Sequence, residues 1–408
     1  MLFRSFEGMT GSTPARALDE MATPPANPRV ERSPIERLTA WVTKLQEISL
    51  ATFGVYLRPT VPGTAVRAAG FELPDGELIP RTPPWVVAMC RLGLGYRGGY
   101  VYGRPYRGPA WSVDARRLYA RALCEPLGVR WAIGRCERDG GEAPGIFMCT
   151  VSGTPLHPVA LGVWRGEELG FEAETWDGGE CIAVIPSSEF AGLRAMGLTV
   201  TPGWGWVATH TVSFAPLVDK LQRVLVEHGT DSPAGRWAKL LGNSLYGRLA
   251  MNPDREIVVW SKTRPEKASF PLVTMQGEEV PDMWSVRELR YSPSQCVGAA
   301  AMVTGWARGY LYTEMARRIE SGAKIVHAHT DGFIAVGDVP TDLPEVTSEI
   351  GAWRLVSVDD DAIVARAAGY TIGGQTKWSG APNMGRRTVE IAWTTGGWVV
   401  QGRRMRKV

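Results

Sequence analysis

Residues 1–34 carry no apolar periodicity and are rich in Thr, Pro, Ala and Ser, which predicts a flexible N-terminal tail. From Ile35 the pattern changes. Leu38, Trp41, Val42, Leu45 and Ile48 recur at spacings of three and four, the mark of one helix face. Pro62-Gly63 and Pro74-Asp75-Gly76 read as turns. A stretch of Gly, Tyr and Arg runs from Gly95 to Pro109. Residues 110–210 alternate short apolar runs with Gly-rich turns, which predicts a twisted sheet of hairpins interrupted by a helix near Ser187–Met196. Helices are predicted over 214–229 and 233–251, a hairpin insertion over 255–290, a helix over about 296–320 and a hairpin around Asp331. The C-terminal region is mixed and ends in the basic cluster Arg403, Arg404, Arg406 and Lys407, suited to tracking phosphates or to a solvated tail. No internal repeat is present. Helices mixed with antiparallel hairpins place the chain in the α+β class.

Composition narrows the function classes. The 408 residues are 44% hydrophobic and 21% charged, which excludes a wholly disordered chain and leaves room for several subdomains. A net charge of +3 is too small to identify a nucleic-acid partner, so any basic surface is local. The six cysteines form no C-x-x-C pair, so they read as buried thiols rather than a zinc ribbon or disulfide framework. The N-terminus lacks a signal-peptide core. The longest stretch free of Asp, Glu, Lys, Arg and His, Tyr291–Ala307, is shorter than the roughly 20 residues a membrane span needs. A cytoplasmic protein with no membrane partner is expected.

Three segments carry chemistry. Ser232-Pro233 is an N-cap followed by a first-turn proline, and Asn252-Pro253 ends the same helix. At about 100° per residue, Lys239, Asn243 and Tyr246 share one face of it, while Leu241, Leu245 and Leu249 lie on the other. A lysine suits a polyphosphate, and a tyrosine beside Gly247 suits a flat base; an amphipathic helix with an incidental polar face has the same pattern. The second segment, Lys324 to Gly337, is two β-prone runs around a polar tip that presents Asp331. In the third, the apolar run Trp111-Ser-Val ends at Asp114 and turns into a helix bearing Arg117 and Tyr119. Two strand-end carboxylates can share two Mg²⁺ ions for phosphoryl transfer, although strand-end aspartates also serve as turn caps.

Taken in order, Asp-x-x-x-Leu-Tyr at 114–119, Lys-x-x-x-Asn-Ser-x-Tyr-Gly at 239–247 and Thr-Asp at 330–331 resemble motifs A, B and C of the family B DNA polymerases. Tyr96-Arg97-Gly98-Gly99 resembles the YxGG motif of the protein-primed branch found in bacteriophages and linear plasmids, and Thr304 to Arg308 resembles the helix preceding motif C. The resemblance spans about residues 60–385. It implies a right-hand fold with an antiparallel palm sheet, helical fingers and a small thumb. It implies Asp114 and Asp331 as metal carboxylates, joined by the Ala115 carbonyl, and two Mg²⁺ ions, with Mn²⁺ as a substitute. By the same resemblance Tyr119 is a steric gate against ribose, Lys239 holds the triphosphate, and Asn243, Tyr246 and Gly247 border the nascent pair. Arg117 reaches a phosphate. Tyr96, Arg97, Gly98, Gly99 and Thr330 contact template or primer. The implied partners are template-primer DNA, dNTPs and a terminal protein or other priming partner.

The sequence departs from the family in several places. His329 stands where the first motif C aspartate is expected; it reads as a tolerated neighbour of the metals or as a ligand favouring Mn²⁺. Arg117 and Ala120 replace the usual Ser and Pro of motif A. Ala368-Gly369-Tyr370 lacks the lysine of a K-x-Y motif, and Lys377 to Pro382 keeps one lysine of K-x-K-G-x-P, so Tyr370 and Lys377 are the expected primer-terminus contacts. Too few residues precede Tyr96 for a proofreading exonuclease, and Asp75-Gly-Glu77 reads as a turn, so no proofreading is expected. Asp359-Asp360-Asp361 reads as a helix cap, and His157, His210 and His228 lack metal spacing. The expected divisions are a tail at 1–34, a helical remnant at 35–95, palm with motif A at 96–213, and fingers at 214–254. A hairpin insertion with motif C follows at 255–356, then a thumb with the basic C-terminus at 357–408.

Overall fold

The computed structural model describes residues 43–51, 84–138, 141–167, 170–251, 254–265, 269–273, 279–289, 295–367, 369–378, 398–401 and 404–407. The expectations for residues 1–34, for the turns at 62–77 and for Ala368, Ser379–Pro382 and Arg403 lie outside the described residues.

Two sheets meet across one long helix. The first sheet has seven antiparallel strands in the order Val101–Gly103, Lys324–His329, Gly332–Val336, Tyr106–Ala115, Trp353–Arg366, Gly369–Ile372 and Gln375–Trp378. The second has six, with Leu127–Arg135 beside Thr199–Val212, followed by Gly145–Gly153, Gly179–Pro186, Val159–Trp164 and Phe171–Trp176. The predicted alternation over 110–210 is therefore split: Tyr106–Ala115 joins strands far along the chain, and the rest build the second sheet. A three-stranded antiparallel unit, Asp254–Trp260, Ser269–Val273 and Glu279–Leu289, stands where a hairpin insertion is expected.

Six helices are named here in chain order: α1 (Pro84–Arg91), α2 (Leu118–Leu123), α3 (Phe190–Ala195), α4 (Ala215–His228), α5 (Pro233–Leu249) and α6 (Val297–Glu320). At 1.5 Å per residue α6 runs for roughly 36 Å and reaches both sheets. Its C-terminal half, with Leu311, Tyr312 and Met315, packs in one core with Trp111, Val113 and Phe333 of the first sheet and Phe147 and Ile185 of the second. Its N-terminal half, with Ala299, Met302 and Val303, joins Leu221 and Leu225 of α4 and Trp237, Leu241 and Leu245 of α5 in a second core. Helix 43–51 contributes Leu45 to that core. Ser232 caps α5 as its sequence predicts, accepting a hydrogen bond from the Gly235 amide at 2.9 Å.

Two expectations need correction. Asp359–Asp361 belong to the strand Trp353–Arg366, not a helix. The run sits at a register shift opposite Ala110 and Gly108, where Asp359 accepts from the Asp361 and Gly373 amides and Asp361 pairs with Arg107. A boundary at residue 357 would cut that strand through its pairing with Tyr106–Ala115, so 353–378 continues the first sheet. The basic end forms a hairpin of Trp398–Gln401 with Arg404–Lys407. No helix among the described residues is long and apolar enough to cross a membrane. All six cysteines are free thiols, Cys124 half-buried and the others buried.

Candidate active site

Strand periodicity aims Asp114. Successive side chains alternate faces, so with Trp111, Val113 and Ala115 in the core, Asp114 turns to the opposite, open face. Gly332 lies directly across one neighbouring strand from it and Arg354 across the other, with His329 paired beyond Gly332. Arg354, Asp114, Gly332 and His329 thus form one row on the same face. Asp331 stands at the hairpin tip beside that row. The Ala115 amide donates to the Asp331 carbonyl at 2.7 Å, which ties the end of one carboxylate's strand to the backbone of the other. Thr330, at a left-handed φ of 56°, makes the tight turn. Its amide donates to the Tyr100 carbonyl at 2.8 Å and its hydroxyl to Asp331 Oδ1 at 2.9 Å. The two aspartates, 217 residues apart in sequence (331 less 114), share one site.

Two cavities meet at these carboxylates. One, of about 280 Å³, is lined by Asp114, Asp331, Arg354, Arg117, Lys239 and Asn243 among others. The second, of about 370 Å³, shares Asp114, Asp331 and Arg354 and adds His329, Tyr370 and Lys377. The sequence-predicted residues therefore sort onto two sides of the aspartates. Lys239 and Asn243 project from the exposed face of α5, whose Leu241, Leu245 and Leu249 are buried. Gly247 lies on the exposed face too, and a Cβ there would meet no atom within 4 Å, so packing does not require glycine at this position. Tyr246 stacks on Tyr119 with ring centroids 4.5 Å apart and planes at 12°. Tyr96 joins the same aromatic group, half-buried beside α1 and α5. Arg117, at a left-handed φ of 54°, starts α2 and donates to the Gln222 side chain of α4.

The electrostatics favour a cation. Burial and then the Asp331 charge push the Asp114 carboxyl up to about 6, with Arg354 and Lys377 opposing. Burial alone would lower Lys377, but the Tyr370 hydroxyl and both aspartates hold it above the usual lysine range. Burial, then Tyr246, raises the Tyr119 phenol, and burial, then Asp331, raises Tyr246, so both stay protonated. Burial and His329 push His327 down to about 3, so its ring is neutral, with Nε2 2.9 Å from the Ala367 carbonyl. Two crowded carboxylates are an all-oxygen donor set. That fits a hard divalent cation completed by phosphate oxygens, which would also relieve the strain on Asp114. Asp114 and Asp331 are the residues that would hold it; Ala115, expected to join them, is fully buried and lines neither cavity.

Arg97 takes a different role from the one expected. It is buried, and its guanidinium is spent on Glu189 at 3.1 and 2.9 Å and on the Leu94 and Val184 carbonyls, so it presents no charge to a phosphate. Gly98 is exposed with open space where a Cβ would lie, whereas Gly99 is hemmed in by the Tyr119 hydroxyl and Thr330. Sequence reasoning missed Arg354, Gln222 and Glu189. Arg354 is placed only by strand register, Gln222 by the packing of α4 on α2, and Glu189 by burial between two arginines.

No protein-family model matches the chain, and no curated protein does. Solved structures do. The chain is similar to Phi29 DNA polymerase in its orthorhombic crystal form, with TM-score 0.60 at 15% identity, covering 93% of this chain and 72% of that one. It is similar to Phi29 DNA polymerase complexed with primer-template DNA and incoming nucleotide substrates, with TM-score 0.59 at 15% identity over 89% and 68%. The complex of that enzyme with single-stranded DNA gives 0.59 at 15% over 93% and 72%. Likeness at this identity shows a DNA polymerase fold.

Proposed function

We propose that the chain is a template-directed DNA polymerase that adds dNTPs to a primer 3′-OH, serving replication of a phage, plasmid or other mobile element. One observation carries this reading. Asp114 and Asp331 lie where two cavities join, with triphosphate-binding chemistry on one side and Lys377 and Tyr370 on the other. Lys239 and Arg117 attract a triphosphate into the first cavity, and Asn243 lies beside them. The Tyr119 ring, braced by Tyr246 and flanked by Arg117 and Ala120 of the first cavity, would serve as a flat wall against a ribose 2′-hydroxyl. Gly247 leaves the α5 face open to a base pair. Lys377 and Tyr370 hold the primer end in the second cavity, and Gly98 and Gly99 offer backbone amides to a phosphate. When bound, a pair of Mg²⁺ ions, or Mn²⁺, would neutralise charge on the attacking oxygen and the leaving pyrophosphate. The chain's own part is to hold the two ends in line in a pre-formed polar site.

The Phi29 structures bound to primer-template DNA and nucleotides support DNA and dNTPs as partners. A protein or other non-nucleic primer is a narrower proposal, tested by synthesis on single-stranded template without added primer. The main test is primer extension by Asp114→Ala and Asp331→Ala. Both are expected to lose synthesis by at least about 10³-fold, as removal of a central electrostatic group does; undiminished synthesis by either refutes the assignment. His329, in place of an acid, favours one alternative: a polymerase-fold protein that binds duplex without synthesis. That alternative predicts primer-template binding with no incorporation under either Mg²⁺ or Mn²⁺.

A further inference from the structure

A buried ion cluster outside both cavities reaches the Tyr119 ring. Glu189 precedes α3 and is fully buried. Arg308 on α6, 1% exposed, brings Nε and Nη2 to its carboxylate at 2.8 and 2.5 Å. Arg97 adds Nη2 at 3.1 and 2.9 Å, so both oxygens are doubly satisfied. A buried ion cluster of this kind seldom stabilises more than an apolar one of equal volume. Its distinctive property is direction. The remaining Arg308 nitrogen, Nη1, donates to the carbonyls of Arg97 and Gly98, each at 2.8 Å. The next residue is Gly99, where a Cβ would lie 2.6 Å from the Tyr119 hydroxyl and 2.8 Å from Thr330 Cγ2. The Tyr119 ring is thus clamped between Tyr246 on one face and the Gly99 backbone at its hydroxyl.

We propose that Glu189 is a positioning residue for sugar selection: through Arg308 it fixes the Gly98–Gly99 backbone against the Tyr119 hydroxyl and so sets where that ring stands. This rests on the polymerase reading above. Glu189 and Arg308 are 0% and 1% exposed, so neither touches nucleotide. Their effect passes through Tyr119, and a shift of about 1 Å at a discriminating wall is enough to change rates strongly.

The test measures dNTP and rNTP incorporation on one primer-template. Native chain that incorporates neither removes the polymerase reading and this inference with it. Given native synthesis, Arg308→Lys, which keeps the charge but loses the fork, and Glu189→Gln should each lower discrimination against ribonucleotides by about tenfold or more. The change should fall in KM for rNTP against dNTP, with dNTP kcat little altered. If Glu189→Gln does not fold, Arg308→Lys, which keeps the charge in the cluster, decides. The inference is overturned if the Arg308 and Glu189 variants lose thermal stability with the rNTP-to-dNTP ratio unchanged.

Discussion

Asp114→Asn should make the metal-free protein more stable while abolishing synthesis. The native carboxyl is held up to about 6 against an ordinary value of 3.8. Two units at about 1.4 kcal/mol each set a ceiling near 3 kcal/mol on the destabilisation its charge brings at neutral pH. The side chain is 31% exposed, so solvent screening lowers this to about 1–2 kcal/mol. Asn keeps the shape and an acceptor for Arg354, whose bond to Asp114 is 3.3 Å long, and forfeits about 0.5 kcal/mol by losing the charge. The net gain is about 1 kcal/mol. The sign follows from proton counts. With the folded value above the unfolded one, the folded chain holds the extra proton between pH 3.8 and about 6. Native stability from this group is present below 3.8 and is lost as pH rises through about 6. The variant should therefore match the native chain near pH 4 and exceed it near pH 7.5. Urea denaturation in chelator at the two pH values measures the gap, and added Mg²⁺ should close it by favouring the native site. A variant less stable than native at pH 7.5, or a gap that ignores pH, would refute the crowding of the two carboxylates.

The nucleotide cavity and the α5 helix yield further expectations. Lys239→Ala should raise the dNTP KM by about 10–100-fold with a smaller effect on kcat, the loss of one charge-assisted phosphate contact; steady-state primer extension with an unchanged KM would count against the cavity assignment. Trp237 is 2% exposed in the core beneath that cavity, and Trp237→Ala should cost about 3–5 kcal/mol in chemical denaturation. Ser232→Ala, which removes the 2.9 Å cap bond to the Gly235 amide, should cost about 1 kcal/mol in the same assay.

How much of this was legible in the sequence depends on the range of each cause. Helix α5 was legible because its signals are local: a serine cap, a first-turn proline and leucines at helical spacing. The Asp331 hairpin was legible for the same reason, with two β-prone runs and one polar tip. Strand partnership was not. Alternation marks Tyr106–Ala115 as a strand, but its partners begin at Gly332 and Trp353, and nothing local separates it from the second sheet. Arg97 sits between Tyr96 and two glycines, where the resemblance implies a contact with template or primer. Its partners Glu189 and the Val184 carbonyl lie 92 and 87 residues away, and these distant contacts draw it inward. Asp359–Asp361 misled because three acids before an apolar run satisfy helix-cap chemistry and strand-bulge chemistry equally well. The site was legible where residue type carries the chemistry and illegible where tertiary packing turns a side chain inward.

His329 can be judged on its place in the row. It is separated from Asp114 by one strand, so two strand spacings, roughly 10 Å, lie between their backbones. A carboxylate at 329 would interact with Asp114 by about 1–2 kcal/mol at an effective dielectric near 20, unfavourably in the empty site and favourably toward a shared cation. His329→Asp should therefore lower metal-free stability by about 1 kcal/mol and lower the half-saturating Mg²⁺ for synthesis by about tenfold, the usual scale for a change beside a metal's direct ligands. The histidine then reads as a concession that weakens cation affinity while sparing the fold a third crowded acid. Calorimetry in chelator together with a Mg²⁺ titration of primer extension separates the two effects. If neither moves, position 329 lies outside the field of the cation site, and the histidine is a neutral replacement with no bearing on catalysis.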